Sequence, residues 1–358
     1  MEQINSTYQL LELIGKPAFC VKNGSVAYVN QAARSMQIQS GVQIQKLIPD
    51  NYDTYENFQT GCLFITLKIA GIPCNANVTK SAEYDFFILE DPTCSDQLRT
   101  LSLAGQQLRI PLASLVASID TFFTEKPAHG FLPHANQIRK GVHQLHRIIN
   151  NMSDTAHLSD CAPTEETLDV GSLVAEAIEK CKAFLSDTGI SLQYKGLHHT
   201  VYTQANRNLL DRAIFNMISN AVKFSDPGCP VTAELSQTGN KLQFSICNIS
   251  KNTRPETLSN AFHAYQRKPS VEDSRHGIGL GMPLIRAAAQ IHGGTVLIDQ
   301  PAPETVRVTL TIAIRQPHDP TILRNPLARS IDYAGGRDHA LLELSDVLPP
   351  TTYEYESD

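Results

Sequence analysis

Between residues 101 and 156 the apolar side chains recur at steps of three and four, once as Leu101, Leu108, Leu112, Leu115, Ile119 and Phe122 and again as Ile138, Val142, Leu145, Ile149, Met152 and Ala156. That spacing puts each set along one line of an α-helix, so the region has to supply two long helices with one apolar seam apiece. The link from Glu125 to Pro133 holds two prolines and a glycine, which end the first helix and let the chain turn back. A helical hairpin cannot bury two seams on its own. The economical remedy is a second copy of the chain, giving a four-helix bundle in a homodimer.

The flanks of this hairpin read differently. Residues 18–22 and 25–29 are β-type runs separated by Asn23-Gly24, a pair that accepts the positive φ of a tight hairpin turn. Further strands are expected at 62–69, 72–78 and 84–89, making a small antiparallel sheet with a helix or two. After a joint rich in Pro, Thr and Glu at 162–167, helices are expected at 173–185, 209–224 and 282–292, the last closed by Gly293-Gly294. Strands are expected at 190–194, 231–235, 242–248, 295–298 and 306–314. The fold class is α+β. Beyond Arg315 the chain becomes polar and proline-bearing, with one helical candidate at 339–347, and reads as a partly disordered docking or regulatory tail. The expected division is 1–95, 96–160, 161–316 and 317–358.

A net charge of −6 and the lack of a local Lys/Arg block leave no footprint for a phosphate backbone, so nucleic acid is not an expected partner. The 8 cysteines are scattered without C-x-x-C pairs and read as buried thiols of a reducing compartment rather than a metal or disulfide framework. The start of the chain lacks a basic stretch followed by an apolar one, and the most apolar window, 61–74, is too short to span a bilayer and contains Lys68. A cytoplasmic protein without a membrane span is expected.

The strongest chemical signal is the run His276-Gly277-Ile278-Gly279-Leu280-Gly281-Met282-Pro283, which opens a helix. Alternating glycines let backbone N–H groups approach an anion, and the helix dipole favours negative charge there. Such a turn also serves tight packing, so its context matters. In the helix at 209–224, Asn216 and Asn220 are four residues apart and share a face, with Lys223 one turn further along. Together the two motifs resemble the N and G2 boxes of the histidine-kinase ATP-binding domain, part of the wider gyrase, chaperone and mismatch-repair ATPase superfamily. The resemblance implies ATP and Mg2+ as ligands, with Asn220 on the metal and Lys223 near the phosphates. The stretch from Ala261 to Arg267 is similar to the family's F box and the start of its lid. Arg267, Gly277, Gly279, Leu280 and Gly281 are accordingly expected at the nucleotide, with Asn216.

Two boxes depart from the family. Asn248 stands where an aspartate accepts from the adenine amine, and Ser250 and Asn252 replace glycines. A neutral amide accepts less strongly than a carboxylate. In the run Gly105–Leu112, which resembles the phosphoacceptor box, Gln106 occupies the histidine position and Gln107 the acidic one. An amide nitrogen, its lone pair delocalised, cannot attack a γ-phosphorus as imidazole does. The stretch from Leu10 to Ala33 looks like the opening of a PAS sensor domain. The expectation is a histidine-kinase-like protein of a two-component system that binds ATP without its own phosphoacceptor, with a response regulator or an active histidine kinase as a possible partner. The alternatives are a working kinase that uses another histidine (His129, His134, His143 or His146) or a partner's, and a dimeric scaffold without nucleotide.

Overall fold

Two sheets, antiparallel but for one strand pair, grow from the two β-rich stretches and meet edge to edge. The computed structural model describes residues 2–90, 108, 115–116, 132–160, 166–251, 281–315 and 338–353. Helix α1 (Glu2–Leu13) leads into β1 (Ala18–Lys22) and β2 (Ser25–Val29), joined through Asn23 and Gly24 at φ of 51° and 73°, as a tight hairpin requires. Short helices α2 (Gln31–Ser35), α3 (Ile44–Leu47) and α4 (Tyr52–Asn57) follow, then β3 (Cys62–Ile69), β4 (Ile72–Lys80) and β5 (Asp85–Leu89). Polar Asn5, Ser6 and Thr7 interrupt any apolar period at α1, which the sequence reading lacked. Tertiary packing holds it instead, with Leu11 buried and Tyr8 stacked on Tyr28 at 4.3 Å.

Buried Asn30 ties this region together. Its Oδ1 accepts from Ala18 N at 3.0 Å and caps α2 by accepting from Ala33 N at 2.9 Å. Its amide donates to the carbonyls of Leu11, Ile14 and Lys16.

The second helical seam forms one helix, α5 (Leu132–Asp160). Val116, the neighbour of Leu115 and not one of the residues of the first seam, packs with Ile149 and Val142 of the second. Leu108, Leu115, Ile138 and Leu145 nevertheless remain 47–55 % exposed, apolar side chains without full cover among the described residues. The rest of the first seam and the link lie outside the described residues.

The third stretch runs through β6 (Glu166–Asp169), α6 (Val170–Leu185), β7 (Leu192–Lys195), β8 (Tyr202–Ala205), α7 (Arg207–Phe224), β9 (Val231–Thr238) and β10 (Lys241–Ile249). It continues with α8 (Gly281–Ile291), β11 (Val296–Ala302), β12 (Thr305–Ala313), α9 (His339–Glu343) and a 3-10 turn at Pro350–Tyr353. Strand β6 occupies part of the expected joint and pairs with β8 alone, a non-local ladder that local patterning does not announce. Along β10 burial alternates residue by residue, as a strand with one face under helices must.

Strand β3 pairs antiparallel with β11, matching Phe64 to Val296, Leu63 to Leu297 and Cys62 to Ile298. The result is one ten-stranded sheet in the order β2-β1-β5-β4-β3-β11-β12-β10-β9-β7, in which only β7 and β9 run parallel. Because side chains alternate between faces, Cys62 and Phe64 join the core under α6, α7 and α8, while Leu63, Ile65 and Leu67 join the core of the first sheet. Gly61 opens β3 at φ 99°, and a Cβ there would run into the Ile298 carbonyl oxygen. Arg286 of α8 lies 4.3 Å above the Phe64 ring and pairs with Glu90. Asn75 donates to Gln290 at 3.0 Å and Lys241 to Asn51 at 2.8 Å across the same junction.

Candidate functional site

Helix α7 begins where Asn206 accepts from Leu209 N at 2.9 Å. The backbone N–H of Asn206 donates to Nε2 of buried His292, so Nδ1 of that ring carries the proton and donates to Ala288 O at 2.7 Å. One histidine thus fixes the start of α7 against the end of α8, and the two helices pack along their length.

This packing brings Gly281, where the described part of the glycine run begins, onto the asparagine-bearing helix. A Cβ at Gly281 would stand 2.7 Å from Asn216 Oδ1 and 3.6 Å from Asn220 Nδ2. The N-terminus of α8 therefore lies on the asparagine pair of α7, and a larger residue at 281 would displace the Asn216 amide. Asn216 is fully buried and Asn220 half-buried. The amide of Asn216 donates to Arg212 O at 2.9 Å.

Asn248 sits near the end of β10, opposite Val306 of β12. It is 5 % exposed, and its Nδ2 has no hydrogen-bond partner among the described residues. A buried amide hydrogen of this kind invites a ligand acceptor. The chain leaving β10 is anchored where Lys251 N donates to Asp226 Oδ2 at 3.0 Å and Ser250 N to Glu304 O at 2.7 Å. Gln106, Gln107, His129, Arg267, Gly277, Gly279 and Leu280 lie outside the described residues. Of the other histidines considered, His143 is buried, with its ring 4.9 Å from Tyr353, and His146 is half-buried.

Four charged residues that the sequence reading did not single out converge here. Arg147 of α5 donates through Nη2 to Asn216 Oδ1 at 3.4 Å. Arg212 donates to Asn151 of α5 at 2.8 Å. Glu343, fully buried at the end of α9, accepts from Arg147 Nε and Asn216 Nδ2, each at 3.1 Å, and lies 3.6 Å from Arg212 Nε. Asp346 takes Lys223 Nζ at 2.9 Å and Arg147 Nη1 at 2.8 Å. Burial pushes the Asp346 carboxyl up, but Arg147 and Lys223 outweigh it and hold the group below the ordinary carboxylate value. The segment around Glu343 was legible only as a helical candidate, since its ionic partners are remote along the chain.

Residues 205–316 match the family described as histidine kinase-, DNA gyrase B-, and HSP90-like ATPase. An uncharacterized sensor-like histidine kinase of Rhizobium meliloti is 27% identical over 226 residues, covering 60% of this chain and 42% of that protein. The histidine protein kinase DivJ of Caulobacter vibrioides is 26% identical over 227 residues, 60% of this chain and 37% of DivJ. The chain thus spans about two-fifths of the length of these relatives. Full-length ShkA, solved in complex with AMPPNP, has a similar fold at a TM-score of 0.50 and 19% identity, over 62% of this chain and 46% of ShkA. Among the described residues no helix is long and apolar enough to cross a membrane.

Proposed function

We propose that the chain, whose residues 205–316 match the ATPase family shared by histidine kinases, is a two-component signalling protein that binds magnesium-ATP but has no phosphoacceptor of its own. The observation that carries this reading is the close approach of Gly281 to Asn216 and Asn220, a helix start, where the dipole favours an anion, laid beside two amides. In the proposal Asn220 ligates Mg2+, Asn216 and Lys223 face the phosphates, and Arg267, Gly277, Gly279, Leu280 and Gly281 close around them. Asn248 meets the base with its buried amide.

The exposed side chains of Leu108, Leu115, Ile138 and Leu145 support a homodimer, in which a second copy covers them. Residues 1–95 act as a PAS-like sensor, 96–160 as the dimerisation hairpin and 161–316 as the ATPase unit. Gln106 and Gln107 at the phosphoacceptor place direct the output to a partner, a response regulator or an active histidine kinase, through conformation. The burial of His143 against Tyr353 speaks against that ring as a substitute acceptor.

Calorimetric titration of the full chain with a non-hydrolysable ATP analogue and magnesium tests nucleotide binding. Incubation with γ-labelled ATP tests transfer. Binding without label is the expected result. No heat from a folded protein would leave a dimeric scaffold, and an acid-labile label would make the chain a working kinase.

A further inference from the structure

The segment from Asp338 to Tyr353 places two carboxylates on the polar groups that face α8. Glu343 and Asp346 together engage Arg147, Arg212, Lys223 and Asn216. Three cations and an amide beside a helix N-terminus make a polyanion site, and the occupant here comes from the same chain. The residues holding the carboxylates are Asn216 and Lys223, assigned above to the phosphates, with Arg147 and Arg212 beside them.

The same segment also ties α5 to the ATPase unit. Lys140 Nζ donates to Leu348 O at 2.6 Å, Gln144 Nε2 to Ser345 O at 3.3 Å and Arg139 Nη1 to Tyr353 O at 3.4 Å. On its other face His339 meets Asp211 at 3.0 Å, and Ala340, Leu344 and Leu348 are buried in the core under α6 and α7. Arg147 belongs to both sets of contacts. It holds the two carboxylates and reaches Asn216 from the hairpin helix.

We propose that residues 338–353 are an intramolecular plug whose Glu343 and Asp346 stand in for nucleotide phosphates, so that nucleotide and plug exclude each other. This rests on the nucleotide reading of the site given above. Both ligands need the same cations, and two anions cannot share Lys223 and Arg147 without repulsion at short range. Displacement by a triphosphate also removes the ties to Lys140, Gln144 and Arg139. Nucleotide entry then loosens α5 from the ATPase unit, leaving the direct contacts of Arg147 with Asn216 and of Arg212 with Asn151, and occupancy of the site becomes movement of the hairpin. By linkage, a partner that captures the released segment raises nucleotide affinity by the same factor.

The test uses the full chain, a non-hydrolysable ATP analogue with magnesium, and calorimetry together with hydrogen exchange of residues 338–353. Two variants are compared with the parent. Asp346→Asn removes a carboxylate inside the site, while Lys140→Met loosens the segment without altering any group that faces the nucleotide. Tightening by tenfold or more in both variants is expected, with faster exchange of 338–353 in the parent when the analogue binds. Equal affinity in all three proteins, with unchanged exchange, overturns the plug and leaves nucleotide binding intact. Tightening in Asp346→Asn alone also overturns it, because removing a negative charge near an anion suffices to explain that. Absence of binding in all three, with native circular dichroism, sinks the nucleotide reading, and the plug with it.

Discussion

Replacing Gly61 by alanine isolates the junction between the two sheets without touching a core side chain. At φ 99° an L-residue is strained by about 1–3 kcal/mol. The added Cβ would meet the Ile298 carbonyl oxygen, a backbone atom that a rotamer change cannot move. Relief requires β3 and β11 to separate, which removes two or three ladder hydrogen bonds at about 1 kcal/mol each. The sum is about 4 kcal/mol, concentrated at one strand pair. At about 1.4 kcal/mol per decade that is roughly a thousandfold increase in local opening. Hydrogen exchange read by mass spectrometry is the assay: residues 296–302 should lose protection by this factor, while residues 231–249 of β9 and β10 keep theirs. Protection of 296–302 within tenfold of the parent, or an equal loss over β9 and β10, would refute the reasoning, since the strain would then be absorbed elsewhere.

Three further outcomes follow from described contacts. Asn30→Ala takes a partner from Ala18 N, Ala33 N and three carbonyls, of which Leu11 O keeps Ile14 N, at a cost of about 3 kcal/mol, read as a lower denaturant midpoint with native secondary structure below it. Burial pushes the Cys62 thiol up to about 12, so at pH 8 a thiolate-specific reagent should modify it about a thousandfold more slowly than an ordinary exposed thiol; Gly61→Ala should restore its reactivity. Asp346, facing Arg147, Lys223, Lys140 and Tyr353, has a depressed carboxyl, so its contribution to docking of residues 338–353 is complete above the ordinary carboxylate range and is lost as pH falls through the depressed value. Limited proteolysis of that segment should be flat from pH 5 to 8 and rise below about pH 4; a rise beginning near pH 6 would point to a histidine instead.

Much of this was legible one element at a time. The four-residue spacing of Asn216 and Asn220 announced a shared helical face and the glycine run a backbone open to an anion, while the nearness of Gly281 to the two amides comes from the packing of α7 on α8. Strands such as Ala18–Lys22 and Cys62–Ile69 begin and end where β-type residues give way to turn residues. What local patterning does not carry is pairing at a distance. The contact of β3 with β11 is made by backbone groups common to every residue, so no side-chain period marks it. The grip of Arg147 on Glu343 joins helices far apart in the chain, and each residue alone reads as an ordinary charge on an amphipathic helix.

A shared strand limits what the N-terminal sheet can pass to the half that carries residues 205–316. Because Phe64 belongs to one core and its neighbours Leu63 and Ile65 to the other, a single-residue insertion in β3 would trade their destinations and spoil both, whereas a two-residue insertion would keep each side chain on its own side. The seam therefore resists sliding, and a change in the N-terminal sheet can cross it only as tilt or twist, carried on through β11 toward the strands beneath the asparagine-bearing helix.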